Sequence, residues 1–199
     1  MSGAVPGPDG VLRCPWGAGG APDYVAYHDA EWGRPVRGDA ELFERLSLEA
    51  FQSGLSWLTI LRKREAFRAA FAGFDPFLVA AYGADDEDRL LVDAGIGRNR
   101  SKILATIANA RAVLALDQPL SALLWSFAPP AGRPAPESSG DVPAVTPEST
   151  AMARTMRANG FRFIGPTTAY ALMQATGMVD DHLAACAFRG LAGKRVTGR

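Results

Sequence analysis

The chain has 199 residues, 48% of them hydrophobic and 21% charged, and its 21 basic side chains match 21 acidic ones for a net charge of +0. That length suits one domain, or two small intimate ones, with a core covering roughly 70% of the unfolded surface, and the composition excludes collagen-like, disulfide-scaffold and wholly disordered chains. No run approaches the roughly 18 apolar residues of a membrane span, and the Gly-, Pro- and Ala-rich start lacks the charged and apolar parts of a secretory signal, so a cytoplasmic protein without a membrane partner is expected.

Helix punctuation recurs along the chain while period-two alternation is nearly absent, so the pattern predicts an all-α protein. Residues 1–12 read as a disordered tail. Asp39 is expected to cap a helix with Leu42, Phe43, Leu46 and Phe51 inward, and a second helix runs from about Ser56 to Phe71. Asp75-Pro76 predicts a start that Gly83 stops, Asp85 with Asp88 opens a helix closed near Gly95, and Asn99 caps a longer one carrying Ile103, Ile107 and Leu114. Pro119–Phe127 reads as a short helix, and residues 128–147, with six prolines, read as an extended surface loop inside one domain spanning 13–188. Beyond it, Thr146-Pro147 starts a helix ending at Asn159-Gly160 and Pro166 starts one ending at Gly177. Asp180 or Asp181 is expected to start a last helix towards Phe188, before a basic, flexible tail over 189–199.

The even charge hides a gradient. Residues 1–50 hold 4 basic and 8 acidic side chains, residues 51–149 hold 10 and 11, and residues 150–199 hold 7 and 2. The basic end and the knot Arg98, Arg100 and Lys102 allow a polyanion partner without requiring one, and from charge alone a solvated face and a basic tail are the favoured reading, since a bulk nucleic-acid binder is usually well above neutral overall.

The chain has two Cys and two His: Cys14 with His28, and His182 with Cys186. On a helix, His182 and Cys186 would project from one face a turn apart, and with the other two they make a Cys2His2 set suited to one structural Zn2+. Buried Cys and ordinary polar His, or a Cys14–Cys186 disulfide, are the competing readings, the latter disfavoured in a reducing compartment.

Glu49 shares the stripe of Leu42 and Leu46, so it is predicted to face inward, where a carboxylate must pair, shift its pKa or do chemistry. A glutamate that snorkels or bonds nearby backbone is the plainer alternative. Trp16, Tyr24, Tyr27, Trp32 and Trp57 crowd the first 57 residues, either as core or as material for holding a flat cationic ring. Leu55 sits at an exposed-looking break between two helices, where an apolar side chain can wedge between bases.

Several blocks carry a family resemblance: Arg13-Cys14-Pro15-Trp16-Gly17, Tyr27-His28-Asp29-Ala30-Glu31-Trp32-Gly33, and Leu48 through Trp57. Others are Asp93 through Ile103, Gly160 through Thr168, and Met178-Val179-Asp180-Asp181-His182. Over about residues 12–188 the chain resembles the bacterial 3-methyladenine DNA glycosylase I family. The resemblance implies a helix-hairpin-helix DNA glycosylase fold in which a structural zinc on Cys14, His28, His182 and Cys186 joins the terminal segments. It implies hydrolysis of the N-glycosidic bond of 3-methyladenine in alkylated double-stranded DNA, leaving an abasic site, after flipping of the nucleotide. Glu49 is then the catalytic carboxylate, and Glu49 and Tyr27 read the base's polar edge. Trp16 and Trp57 stack with or enclose the base with Tyr24 beside them, Leu55 fills the duplex, and Gly165 and Thr167 at the hairpin face a phosphate. Asp180 stands where members often carry Asn, so it is a second candidate carboxylate besides its reading as a helix cap. None of Lys63, Lys102 and Lys194 lies in the hairpin, so no Schiff-base lyase step is expected, nor a nucleotide cofactor, and the protein is expected to be monomeric. The rival classes are a non-catalytic, damage-sensing DNA-binding module of the same fold and a zinc hydrolase with one open position.

Overall fold

Among the described residues, half of the ten α-helices begin where a side chain accepts from their first amides. The computed structural model describes residues 3–130 and 132–191. After α1 (Pro15–Ala18) and α2 (Pro22–Ala30), each opened by proline, come α3 (Asp39–Gln52) and α4 (Trp57–Ala70). Ser56 caps α4 by accepting from Thr59 N at 3.2 Å, and Asp75 accepts from Phe77 N at 2.8 Å to cap α5 (Pro76–Ala80). Next come α6 (Ala84–Val92) and α7 (Arg100–Leu114), the latter capped by Asn99, whose Oδ1 accepts from Lys102 N at 3.1 Å. Then follow α8 (Leu120–Trp125), α9 (Pro147–Ala158) capped by Thr146, and α10 (Pro166–Ala175). Acidic first turns on α3 and α6 complement the helix dipole. Among the described residues no helix is long and apolar enough to cross a membrane.

Three expectations are corrected. Asp39 does not cap its own helix: it is the first residue of α3, and its carboxylate accepts from Leu120 N at 3.1 Å and Ser121 N at 2.8 Å. The α8 N-cap is Pro119, which has no side-chain acceptor, so a carboxylate 81 positions away does the capping. The segment before Cys14 is not disordered from residue 5 onward. β1 (Val5–Pro6) pairs antiparallel with β2 (Leu12–Arg13), and the intervening turn closes through Gly7 N to Val11 O and Val11 N to Asp9. The helix expected from Asp180 towards Phe188 does not form. Asp180 accepts from His182 N, Arg189 donates to the carbonyls of Asp180 and His182, and Ala184 N and Ala187 N donate to Pro136 O and Leu12 O. Those bonds occupy the backbone groups that a helical ladder needs. The tail beyond residue 191 lies outside the described residues.

The chain folds as two units. One is drawn from the segments up to Val36, from Ala128–Ala144 and from Met173 on; the other comprises Arg37–Phe127 and Val145–Leu172. In the second, Phe51, Phe67, Phe71 and Phe74 form a run of buried rings with centroids 4.7 to 6.4 Å apart. The first is loop-rich, and its centre is the group built around the two cysteines.

Candidate functional site

In the first unit Cys14 precedes α1, His28 lies in the last turn of α2, and Cys186 lies in the turns after Val179. One ligand atom from each falls within 4.8 Å of the other two, and all three residues are buried. Both cysteines are free thiols, so the disulfide is not formed. Cys14 is pushed up, first by its hydrogen bond to Cys186 and then by burial, and the same bond pulls Cys186 down. Leu183 N donates to Cys14 Sγ at 3.4 Å, and His28 Nε2 lies 3.7 Å from Cys186 Sγ.

His182 stands beside this trio, its ring 5.0 Å from that of His28, and its Nε2 is buried without a hydrogen-bond partner among the described residues. An orphaned buried nitrogen next to two thiols and an imidazole fits a fourth ligand position. Both histidines are oriented from behind. His28 Nδ1 donates to Asp29 Oδ1 at 2.8 Å and His182 Nδ1 to Asp180 Oδ1 at 2.8 Å, which leaves each Nε2 able to serve as a ligand atom. Asp29 is gripped in turn by Arg13, which also reaches Asp9 at 2.7 Å and holds that carboxyl down at about 2. For Asp180, burial acts upward, but the bonds from His182 and from Gly190 N outweigh it and hold the carboxyl below its usual range. Gly17 and Gly33 are needed here, because a Cβ on Gly17 would sit 2.4 Å from the His28 ring and one on Gly33, at φ +73°, 2.9 Å from His182.

Trp16 is the hub of the aromatic group. Its ring lies 5.1 Å from Tyr24, 6.4 Å from Tyr27, 4.8 Å from His28 and 5.0 Å from Trp32, and it packs against the cluster of Cys14, Leu183 and Cys186. Tyr27 is buried, and burial pushes the half-buried Tyr24 phenol up.

The second unit holds the carboxylate. Two glutamates of α3 are buried, with opposite consequences. Glu44 accepts a double hydrogen bond from Arg68, the closest contact at 2.8 Å, and is a structural ion pair. Glu49, 6% exposed, has no hydrogen bond among the described residues; burial pushes its carboxyl up to about 8, with the Arg45 charge only partly opposing. Residues 53–56, between α3 and α4, are exposed, Gly54 turns at φ +83°, and Leu55 is 48% exposed, while Trp57 begins α4 buried. Between α9 and α10 the chain turns through Gly160, with Arg162 and Phe163 exposed. Gly165 precedes α10 with open space where a Cβ would stand, and Thr167 is exposed.

The sequence reading missed the residues that support the site. Asp29 carried a signal, being adjacent to a candidate ligand, whereas the Glu44–Arg68 pair had none, because its members lie 24 positions apart.

A family model described as methyladenine glycosylase matches residues 16–190. The DNA-3-methyladenine glycosylase 1 of Escherichia coli is 44% identical over 178 residues, covering 87% of this chain and 95% of that protein. The crystal structure of a 3-methyladenine DNA glycosylase I superposes with a TM-score of 0.83 at 44% identity, covering 88% of this chain and 98% of the other. A tyrosine-to-phenylalanine variant of 3-methyladenine DNA glycosylase I, in complex with 3-methyladenine, superposes with a TM-score of 0.81 at 36% identity over 88% and 96%. With the family model matching most of the chain and a relative this similar along nearly its whole length, the protein belongs to the methyladenine glycosylase family.

Proposed function

We propose that this chain is a base-excision repair enzyme that flips 3-methyladenine out of alkylated double-stranded DNA and hydrolyses its N-glycosidic bond, leaving an abasic site. The observation that carries the reading is Glu49: a buried carboxyl without a hydrogen bond, on a helix whose other buried glutamate is fully paired.

Methylation at N3 makes the nucleobase cationic, so it leaves as a neutral molecule when the C1′–N9 electron pair moves onto it. The protein's task is therefore selection and charge placement more than acid catalysis. In the empty protein near neutral pH Glu49 is mostly protonated; an arriving cationic base favours its ionised form. The carboxylate then matches the base's charge, against which neutral adenine has nothing to offer. As the bond breaks it stabilises positive charge on the sugar or orients the attacking water. Trp57 and Trp16 stack with or enclose the ring, Tyr24 adds aromatic surface, Tyr27 reads a polar edge and Leu55 fills the duplex. Residues 147–175 serve as the helix-hairpin-helix element, with the amides near Gly165 and Thr167 facing a phosphate.

One Zn2+ on Cys14, His28, His182 and Cys186 is the implied metal. The two pre-oriented Nε2 atoms and the two buried free thiols fit it, and its chemistry would be a structural cross-link that fixes the surface carrying Trp16. The reaction stops at the abasic site. Lys63 Nζ is held by the carbonyls of Ala94 and Gly95, and Lys102 Nζ by those of Phe51 and Ser53, so neither amine is available to a sugar aldehyde. The protein acts as a monomer in the cytoplasm, without a nucleotide cofactor. Chromatography of free bases after incubation with methylated duplex DNA tests the reading. Release of 3-methyladenine with 7-methylguanine left in place supports it, and DNA binding without release replaces it by a damage-sensing module.

A further inference from the structure

Three side chains of α7 leave the helix to hold backbone elsewhere: Arg111 donates to the carbonyls of Ala80 and Tyr82, and the other two, Lys102 and Asn109, hold exposed turns. Lys102 Nζ donates to Phe51 O at 2.8 Å and Ser53 O at 2.6 Å, carbonyls at the C-terminal end of α3 that have no helical partner. Asn109, 1% exposed, donates from Nδ2 to Arg162 O at 3.1 Å and accepts at Oδ1 from Arg162 N at 2.7 Å, a two-point clamp on one residue. Seven residues apart, Lys102 and Asn109 share one face of the helix, about 10 Å along its axis.

Both held segments are exposed turns in unusual conformations. The first runs through Gly54 at φ +83° to the exposed Leu55, whose N donates to Gln52 O at 2.6 Å. The second runs from the clamped Arg162 into Phe163, a bulky residue at φ +57° with 43% of its surface exposed. An aromatic side chain seldom adopts that backbone and does so only where its surroundings impose it. Within this unit the two turns are the ones given contact with DNA above, and the inference rests on that reading.

We propose that α7 is the strut that sets the spacing between the base-displacing turn and the phosphate-binding hairpin, with Lys102 and Asn109 as positioning residues. A loop held only by its own bonds drifts on the scale of an ångström, and an error of that size in a wedge costs orders of magnitude in rate. With both turns gripped by one rigid helix, seating the hairpin on a phosphate places Leu55 at a set distance along the duplex.

The test compares release of 3-methyladenine under single-turnover conditions from methylated duplex and from methylated single-stranded DNA, which has no stack to open. The proteins are wild type, Lys102→Met, Lys102→Arg, Asn109→Ala and Leu55→Ala, each checked for thermal stability and zinc content. Lys102→Met is expected to slow duplex release roughly 10- to 100-fold while single-strand release stays within about twofold, and Lys102→Arg, which keeps two donors, restores most of the loss. Asn109→Ala is expected to weaken binding to undamaged duplex about tenfold or more through the misplaced hairpin. Equal losses on both substrates, or none, overturn the proposal and leave two ordinary stabilising contacts. If Leu55→Ala also leaves the duplex-to-single-strand ratio unchanged, the wedge reading fails and the strut with it. If Leu55→Ala lowers the ratio and Lys102→Met does not, the strut alone fails.

Discussion

Replacing Glu49 by Gln is expected to make the protein more stable and less active at once. The wild-type carboxyl sits at about 8 in the folded chain against 4.5 for the free group. Between those values the folded state binds more protons than the unfolded one, so wild-type stability falls as pH rises from about 4.5 and levels off above about 8. Gln keeps the size and cannot ionise, so it is spared that loss. Over the interval from 4.5 to pH 7, at about 1.36 kcal/mol per pH unit, the gain is on the order of 3 kcal/mol, approaching about 5 kcal/mol above pH 8. For a chain of this length, 3 kcal/mol corresponds to a rise in Tm of roughly 6–12 °C. Denaturation of zinc-loaded wild type and Glu49→Gln at pH 4, 7 and 9 checks it: the gap should be near zero at pH 4 and widen with pH. A variant no more stable than wild type at pH 7, or a gap independent of pH, refutes the picture of a buried carboxyl without a hydrogen bond.

Cys186→Ala should lower bound zinc from one per chain towards none and lower the melting temperature in parallel, measured by elemental analysis and thermal scans; normal zinc content excludes Cys186 as a ligand. Asp180→Asn removes the carboxylate behind His182 and is expected to weaken zinc affinity about 10- to 100-fold in a chelator competition, with excision per zinc-loaded molecule unchanged. A large drop in that excision rate would return Asp180 to the list of catalytic carboxylates. Borohydride added during turnover on methylated duplex should trap no covalent protein–DNA adduct, since Lys63 and Lys102 are committed to backbone carbonyls; a trapped band at either lysine contradicts this.

Local chemistry was legible in the sequence and long-range chemistry was not. The helix starts at Ser56, Asp75, Asn99 and Thr146 were legible because each of these side chains bonds an amide two or three residues on. Asp39 obeys the same physics, but its orphan amides belong to α8, and no pattern near residue 39 announces that. The candidate ligands were legible from type and number, although the geometric argument for the second pair failed. His182 and Cys186 are not on a helix; turns tied down by Asp180, Arg189 and backbone bonds bring them towards His28 and Cys14. The inward face of Glu49 followed from helical periodicity, and the same periodicity did not foresee that Glu44 would be buried beside Arg68. Side chains that reach across the fold to hold backbone, as Lys102 and Asn109 do, are set by the tertiary arrangement alone.

The measurement that bears most directly on the account is single-turnover release of 3-methyladenine from methylated duplex by wild type and Glu49→Gln at matched zinc content and DNA occupancy. The account predicts release by wild type and a rate at least about 100-fold lower in the variant, within the range for loss of a positioned acid–base or charge-stabilising group. Equal rates in the two proteins would remove Glu49 from the chemistry, and no release by folded, zinc-loaded wild type would contradict the proposed activity itself.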